Sequence, residues 1–180
     1  FSHIVNPKTL ESKWQKKWAE AKAYESEPGG AKEKYFVNCP YPYMNGYLHL
    51  GHAFTYLRAD MVSRYQRMQD KNVLFPFAFH CTGTPIVAAA QRVEEGEETQ
   101  IKALKQMGLS DTLIKKFSKP EEWTKHFPDK AIQDLKKFGT SIDWRRSFIT
   151  TSLNPSYDAF IRWQFNRLLA GEYLIKGSFP

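Results

Sequence analysis

The stretch P-Y-P-Y-M-N-G-Y-L-H-L-G-H, residues 40–52, is the part of the sequence that decides which fold we expect. It follows the apolar run Y-F-V-N-C, residues 35–39, which predicts a short buried strand. After Asn45-Gly46, apolar residues recur at helical spacing and predict a helix. The apolar stripe of this helix consists of Leu50, Ala53, Leu57, Met61, Tyr65 and Met68.

A second strand and a second helix follow in the same order. The run V-L-F-P-F-A-F, residues 73–79, predicts a strand with an irregularity at Pro76. Thr84-Pro85 then opens a helix after the loop H-C-T-G. Two strands joined through a helix are expected to be parallel, and the loops that follow parallel strands meet at one edge of the sheet. Residues 39–52 and 79–85 should therefore converge there and form the ligand site.

The expected fold class is α/β, a Rossmann-like parallel sheet with a small helical insertion. We divide the chain into four segments. Residues 1–33 are an N-terminal helical extension, and residues 34–93 are the βαβ nucleotide-binding half. Residues 94–128 are an insertion or linker, for which we expect short helical pieces. Residues 129–180 are a helical and strand segment.

Three further helices are predicted outside the βαβ unit. The first begins at Asn6, and we interpret its apolar stripe as core; the stripe consists of Leu10, Trp14, Trp18 and Ala21. The second covers about residues 129–138 and ends at a glycine. The third is capped by Asn154 and has apolar residues along one side. Just before it, D-W-R-R (143–146) is interpreted as packing and surface charge, and a contact with RNA stays an alternative.

Composition narrows the class of protein. The chain has 180 residues and a hydrophobic share of 42%, which excludes a disordered chain. The formal net charge of +7 favours polyanionic partners such as nucleotides or nucleic acid. The two cysteines, Cys39 and Cys81, form no CxxC pair, so we expect no disulfide framework and a reducing, cytoplasmic location. No apolar run has the length of a membrane span, and no membrane association is expected.

His49 and His52 lie in the first turn of the predicted helix after residues 40–48, and three interpretations are open for them. At that turn, free N–H groups and the positive end of the helix dipole attract phosphate, and imidazole donors add to this. Gly51 would let a nucleotide approach the backbone closely. A zinc site completed by Cys39, His80 or Cys81 is the second interpretation, although no pair has knuckle spacing. The third is that both histidines are ordinary packing or surface residues.

The sequence around these histidines resembles leucyl-tRNA synthetase of the archaeal and eukaryotic cytosolic type, a class I aminoacyl-tRNA synthetase. N-G-Y-L-H-L-G-H resembles the His-Ile-Gly-His signature of that class, and three further blocks extend the resemblance over nearly the whole chain. The blocks are L-F-P-F-A-F-H-C-T-G-T-P-I, F-P-D-K-A-I-Q-D-L-K-K-F-G and I-D-W-R-R-S-F-I-T-T-S-L-N-P-S-Y-D-A-F-I-R-W-Q-F. His80 favours this branch, because bacterial leucyl enzymes usually carry aspartate in the matching segment.

The resemblance implies the class I (HUP-type) catalytic fold and the activation of leucine with ATP, followed by transfer to tRNA(Leu). It implies that His49 and His52 are catalytic and hold the ATP phosphates. Asn45, Gly46 and Gly51 would complete the ATP site. Cys39, Tyr41, Tyr43 and His80 would line the leucine site. Mg²⁺ is expected to accompany the nucleotide, and no metal bound tightly by the protein is expected.

One departure limits what the resemblance implies. The family's second signature, Lys-Met-Ser-Lys-Ser, is absent from the 180 residues. The sequence also opens on Phe1 and stops at K-G-S-F-P, so we expect the N-terminal half of a catalytic domain within a longer polypeptide, weak or inactive alone. Further protein partners, such as a multisynthetase complex, stay undefined.

Two other functions fit parts of the sequence. One is a nucleotidyltransferase of the HxGH type that acts on another small phosphorylated substrate. The other is a synthetase-like module that binds leucine, nucleotide or RNA without turnover. The substrate that drives pyrophosphate exchange would distinguish the first, and the extent of the parent reading frame would distinguish the second.

Overall fold

The computed structural model describes residues 6–178 of the chain. Residues 1–5 of the expected N-terminal extension and residues 179–180 lie outside the described residues. The helices are α1 (Pro7–Glu20), α2 (Leu50–Met68), α3 (Thr84–Glu94), α4 (Glu98–Gln106), α5 (Asp111–Lys116), α6 (Pro120–Lys137) and α7 (Pro155–Ala170), with one 3₁₀ turn at Trp144–Arg146. The strands are β1 (Lys34–Phe36), β2 (Asn72–Leu74), β3 (Ala78–Phe79) and β4 (Phe148–Ile149).

The strands form two parallel pairs, of which the βαβ reasoning predicts the pairing of β1 with β2. β1 pairs with β2, with Tyr35 opposite Val73, and β3 pairs with β4. The strand predicted over 73–79 divides at Phe75–Phe77, around a proline that has no N–H to donate. The Phe75 carbonyl accepts a hydrogen bond from the Asp143 amide at 2.9 Å instead of a bond within the sheet.

β1 is shorter and less buried than predicted. The predicted strand reached residue 39, but the ladder ends after the Val37 amide, which donates to the Leu74 carbonyl. The Asn38 side chain then accepts a hydrogen bond from the Cys39 amide at 2.9 Å, which turns the backbone out of the strand. Val37 and Cys39 are buried, whereas Phe36 is 61% exposed.

The apolar stripe predicted for α2 is not its buried face. Within the described residues, Leu50, Met61 and Met68 are exposed, and the buried residues of α2 are Tyr56, Asp60 and Ser63. The inner face is polar because it packs against the loop of residues 139–143, whose backbone groups need hydrogen-bond partners.

A hydrogen-bonded ion network joins α2 to that loop. Asp60 accepts a hydrogen bond from the Ser141 amide and another from Arg64 Nε, the latter at 2.7 Å. Arg64 also donates to the Tyr24 hydroxyl and to the Gly139 carbonyl. Arg67 donates to Ser141 Oγ at 2.7 Å and to its carbonyl at 3.0 Å. The network fixes α2 relative to the N-terminal extension and the loop after α6.

The interpretation of the α1 stripe as core is wrong for the described residues. None of the α1 side chains is buried, and Trp14 is 43% exposed. Trp18 is half-buried, with the Arg64 guanidinium over its ring at 5.2 Å. α1 lies on the surface against α6, where Gln15 Nε2 donates to the Lys137 carbonyl at 2.7 Å.

The insertion is helical, as expected, but its last helix starts earlier than predicted. The helix predicted from about residue 129 begins at Pro120 and passes through Pro128. Trp123 and Phe127 are fully buried on its inner face, and this packing outweighs the cost of an internal proline. Residue 128 thus lies inside a helix, and the division of the chain into four segments stays a prediction.

The loop after α6 and the helix α7 begin where the sequence indicates. Arg145 bonds Asp143, and Trp144 packs against Phe77 at 6.2 Å, in agreement with the structural interpretation of D-W-R-R. Burial alone would raise the pKa of Asp143, but hydrogen bonds from Arg145 and the Ser26 amide hold it below its usual value. The Asn154 side chain caps α7. Across residues 6–178, none of the helices has the length and apolar character that crossing a bilayer demands.

Candidate active site

The first turn of α2 is closed by two histidines that cap each other. His49 is the N-cap residue, and its Nδ1 accepts a hydrogen bond from the Gly51 amide at 3.1 Å. The His49 amide donates to His52 Nδ1 at 3.2 Å, which completes a reciprocal capping box. The two rings stack with their centroids 3.9 Å apart. The spacing of three residues predicted that both side chains lie on one side of the helix, and the stacking of the two rings confirms it.

The capping bonds determine which nitrogen of each ring is free to donate. Because Nδ1 of both rings accepts a backbone N–H, the ring proton of each neutral imidazole resides on Nε2. Burial, and then the nearby charge of His49, lowers the pKa of His52 below its usual value. At neutral pH His52 is therefore a neutral N–H donor at the positive end of a helix dipole. This arrangement attracts phosphate oxygens.

The need for glycine at residue 51 is explained by local packing as well as by the expected close approach of a nucleotide. A Cβ built on Gly51 would lie 3.0 Å from His49 Cε1 and 3.1 Å from His49 Nδ1. A side chain at residue 51 would therefore require the His49 ring to shift by a few tenths of an ångström from its capping position. Glycine avoids this close contact.

The loops after β1 and β3 meet each other, as expected from the parallel topology. Tyr43 and His80 form a parallel bridge in which the Met44 amide donates to the His80 carbonyl at 3.1 Å. The His80 amide donates to the Pro42 carbonyl at 2.8 Å. The Tyr43 and His80 rings stack with centroids 4.0 Å apart, and Tyr43 keeps 43% of its surface exposed. The pair forms a partly open aromatic wall.

Tyr41 and Cys39 lie deeper than the Tyr43–His80 wall. The half-buried Tyr41 ring packs edge-on against Phe77 at 6.1 Å and Phe148 at 6.0 Å. Cys39 is buried, and burial raises the pKa of its thiol to about 11. Cys39 is therefore a neutral thiol at physiological pH. A cavity of about 500 Å³ opens beside Cys39, between β1 and α2, and the histidines lie outside it.

The insertion supports the loop that carries Asn45 and Gly46. A Cβ on Gly46 would meet Met107 Cε at 3.4 Å, and Asn45 is exposed. Tyr47 packs edge-on against Phe127 at 5.4 Å. Sequence reasoning missed Met107 and Phe127, because each lies more than fifty residues along the chain from the loop, and no local pattern joins them.

Tyr56 is a further residue of the site that sequence reasoning missed. Its ring lies nearly parallel to that of His52, at a centroid distance of 5.9 Å and an angle of 13°. The sequence contains a signal that could have indicated this contact, because Tyr56 follows His52 by one helical turn. The apolar stripe predicted for α2 lies on a different face of the helix and does not include Tyr56.

Within residues 6–178, no group of three or more His, Cys, Asp or Glu side chains is placed to hold a metal ion. We predict that the chain, treated with a chelator and dialysed, retains no stoichiometric zinc. The Cys39 and Cys81 thiols have pKa values raised by burial to about 11 and about 12, whereas zinc binds thiolates. Elemental analysis checks this, and about one retained zinc per chain would contradict the prediction.

A sequence model of a protein family matches residues 13–180 of the chain; it is described as tRNA synthetases class I (I, L, M and V). The chain is 47% identical over 173 residues to Leucine--tRNA ligase of Aeropyrum pernix, which covers 96% of the chain. It is 40% identical over 209 residues to Leucine--tRNA ligase, cytoplasmic, of Pongo abelii, with 88% of the chain covered. The chain spans only 18% of the length of each of these two relatives.

Among solved structures, the chain resembles LeuRS in a ternary complex with tRNA and LeuAMS from Agrobacterium radiobacter K84. The TM-score is 0.67 at 23% sequence identity, and the match covers 90% of this chain and 17% of that one. At this identity the likeness concerns the fold alone.

Proposed function

The chain belongs to the class I tRNA synthetase family, and from this membership we propose that it supplies the first half of an active site that activates leucine with ATP. Several observations support leucine as the substrate. Curated relatives at 40–47% identity are named leucine--tRNA ligases, in archaea and in a eukaryote. The leucine, the ATP and the tRNA(Leu) of the reaction are proposed for the full-length protein, because the chain spans 18% of those relatives.

One observation carries the proposal: the stacked His49–His52 pair at the start of α2 lies in the segment that also bears the Tyr43–His80 wall. A polar, phosphate-attracting turn and an aromatic, partly open wall are both needed to bring ATP and an apolar amino acid together. Charge stabilisation and positioning are sufficient for this chemistry, because no covalent enzyme intermediate is required.

In the proposed step, an oxygen of the leucine carboxylate attacks the α-phosphorus of ATP. The new carbon–oxygen–phosphorus linkage forms as the bond between the α-phosphorus and its bridging oxygen breaks, and pyrophosphate leaves with that oxygen. Nε2–H of His49 and of His52 would donate to phosphate oxygens as negative charge builds up. In the second step, a hydroxyl at the 3′ end of the tRNA attacks the leucyl carbonyl carbon. The bond from that carbon to the phosphate oxygen breaks, AMP leaves with that oxygen, and a phosphate oxygen takes the hydroxyl proton.

Mg²⁺ accompanying the nucleotide would be held chiefly by phosphate oxygens. The proposed site residues offer imidazole, phenol, thiol and amide groups instead of the carboxylates that Mg²⁺ prefers. When bound, the ion would neutralise phosphate charge. Tyr41, Tyr43 and His80 would enclose the leucine side chain, and Asn45 and Gly46 would shape the loop over the nucleotide. A cytoplasmic location is proposed on the name of the Pongo abelii relative.

The proposal is tested by pyrophosphate exchange catalysed by the full-length protein, with each amino acid supplied separately. We expect leucine to drive exchange and the other amino acids to drive it far less. Exchange driven by a substrate other than an amino acid would favour another HxGH nucleotidyltransferase. Binding of leucine and ATP without any exchange would favour the non-enzymatic module.

We predict that Tyr43→Ala in the full-length protein relaxes discrimination against isoleucine and methionine while ATP affinity stays nearly unchanged. Tyr43 stacks on His80, whereas His49 and His52 stack on each other, so the loss of Tyr43 should open the amino-acid side alone. An apolar pocket discriminates by about 1–3 kcal/mol per methylene, so we expect a change of about 10-fold or more in the leucine-to-isoleucine ratio.

The measurement compares exchange driven by leucine and by isoleucine in wild type and in the Tyr43→Ala variant. Phe160→Ala is the matched control, because Phe160 is an exposed aromatic residue on α7 whose ring packs against Trp163, and it is not one of the proposed site residues. An unchanged ratio, or a loss of ATP affinity as large as the loss of leucine affinity, would remove Tyr43 from the amino-acid pocket.

A further inference from the structure

Tyr56 lies directly under the proposed catalytic histidines. It is 1% exposed, and its ring continues the stack that begins with His49 and His52. Each of the three residues contacts the next at a spacing of three or four along α2. Among the described residues, the two histidine rings pack against no aromatic ring other than each other and Tyr56. Tyr56 is therefore the one aromatic residue of residues 6–178 that packs against the pair.

Tyr56 is also connected, through Phe77, to Tyr41 of the proposed leucine site. Its ring meets Phe77 edge-on, with a centroid distance of 4.9 Å and an angle of 88°. Phe77 is fully buried and packs against Tyr41 at 6.1 Å. The rings from His49 to Tyr41 therefore form one continuous packed row, and Tyr56 is its central member.

From this geometry we infer that Tyr56 is a positioning residue that holds the His52 ring at the α-phosphate during leucine activation. The inference rests on the proposed function. A side chain held in one rotamer by buried packing keeps a catalytic donor within the small error that catalysis tolerates. The ring of Tyr56 supplies that packing.

A simple core role makes a different prediction from a positioning role. A core residue that is truncated lowers stability and leaves the turnover of the folded molecules unchanged. A positioning residue acts through His52, so its loss should reduce kcat and should have no further effect once His52 is gone. The two roles are separable in a double-mutant cycle.

The experiment uses the full-length protein and leucine-dependent pyrophosphate exchange. In Tyr56→Leu we expect kcat to fall about 10- to 100-fold, with the KM for leucine within about threefold of wild type. Tyr56→Phe keeps the ring and should be within about twofold of wild type. In a His52→Ala background, adding Tyr56→Leu should change kcat by less than about twofold.

Leu104→Ala is the matched control, because Leu104 is a fully buried residue of α4 in the insertion. It should lower the melting temperature to an extent comparable with Tyr56→Leu and leave kcat unchanged. The inference would be overturned if Tyr56→Leu lowered kcat no more than Leu104→Ala does. It would also be overturned if the decreases in kcat of Tyr56→Leu and His52→Ala were fully additive in the double variant.

A second readout does not depend on activity. In protein with ¹³Cε1-labelled histidine, the resonance that disappears in His52→Ala reports on the His52 ring. Because burial lowers the pKa of His52, Tyr56→Leu should shift this resonance and raise the pKa toward its ordinary value. An unchanged resonance and titration would contradict the inference. Wild-type protein without leucine-dependent exchange would instead contradict the proposed function, and the resonance would still decide the role of Tyr56.

Discussion

We expect His52→Ala to lower leucine-dependent pyrophosphate exchange by the full-length protein about 100- to 1000-fold, which is the usual cost of removing one charge-stabilising donor. His52 Nε2–H is a donor at the start of α2, and its Nδ1 is occupied by the His49 amide. The negative charge that develops on the phosphate in the transition state would then lack one neutral donor. Leucine affinity should change little, because the proposed leucine wall is formed by Tyr43 and His80.

Loss of the helix cap is the competing cause of such a decrease, and His52→Asn separates the two. The asparagine oxygen can accept the His49 amide in place of Nδ1, but its NH₂ group does not reach as far as Nε2. We expect His52→Asn to unfold near the wild-type temperature and still lose exchange. If exchange by His52→Ala were within twofold of wild type, His52 would have no role in the chemistry.

The parts of the site that the sequence predicts are those that follow from topology and short spacing. Parallel strands bring their following loops to one edge, and so Tyr43 and His80 meet although 37 residues separate them. Residues three apart at a helix start share a side, and so His49 and His52 stack. Neither result depends on details of packing.

The predictions that fail concern which helix face is buried. Apolar periodicity locates α2, but the face toward the rest of the described chain is the one with Asp60 and Ser63. That face is determined by its partner, a loop near residue 141 that needs hydrogen-bond acceptors and donors. The prediction for Trp14 fails for the same reason, since α1 packs against α6 at the surface and Trp14 stays 43% exposed. A periodic pattern indicates an apolar face without indicating what covers it.

The buried acid of α2 leads to the second large effect. We expect Asp60→Ala to lower the free energy of unfolding of the 180-residue chain by about 2–3 kcal/mol. This is less than the cost of removing one partner of a fully buried ion pair, because the Arg64 side chain is 35% exposed and solvent screens the pair in part. Asp60 is 5% exposed and accepts hydrogen bonds from the Arg64 side chain and the Ser141 amide. Its removal would leave a guanidinium and an amide without their acceptor. Urea-induced unfolding, followed by circular dichroism, measures the loss.

The matched control is Asp158→Ala on α7. Asp158 is bonded by Arg162 Nε at 2.8 Å with the same spacing of four residues, but the Arg162 side chain is 75% exposed. Solvent screens such a pair, so the control should cost less than about 1 kcal/mol. The loss of unfolding free energy in Asp60→Asn should lie between those of Asp60→Ala and Asp158→Ala. The amide oxygen can still accept the Ser141 N–H, but the charge opposite Arg64 is lost. Equal midpoints for Asp60→Ala and Asp158→Ala would mean that the network does not hold α2 in place. The orientation of His49 and His52 would then depend on their own capping hydrogen bonds and on the aromatic row through Tyr56.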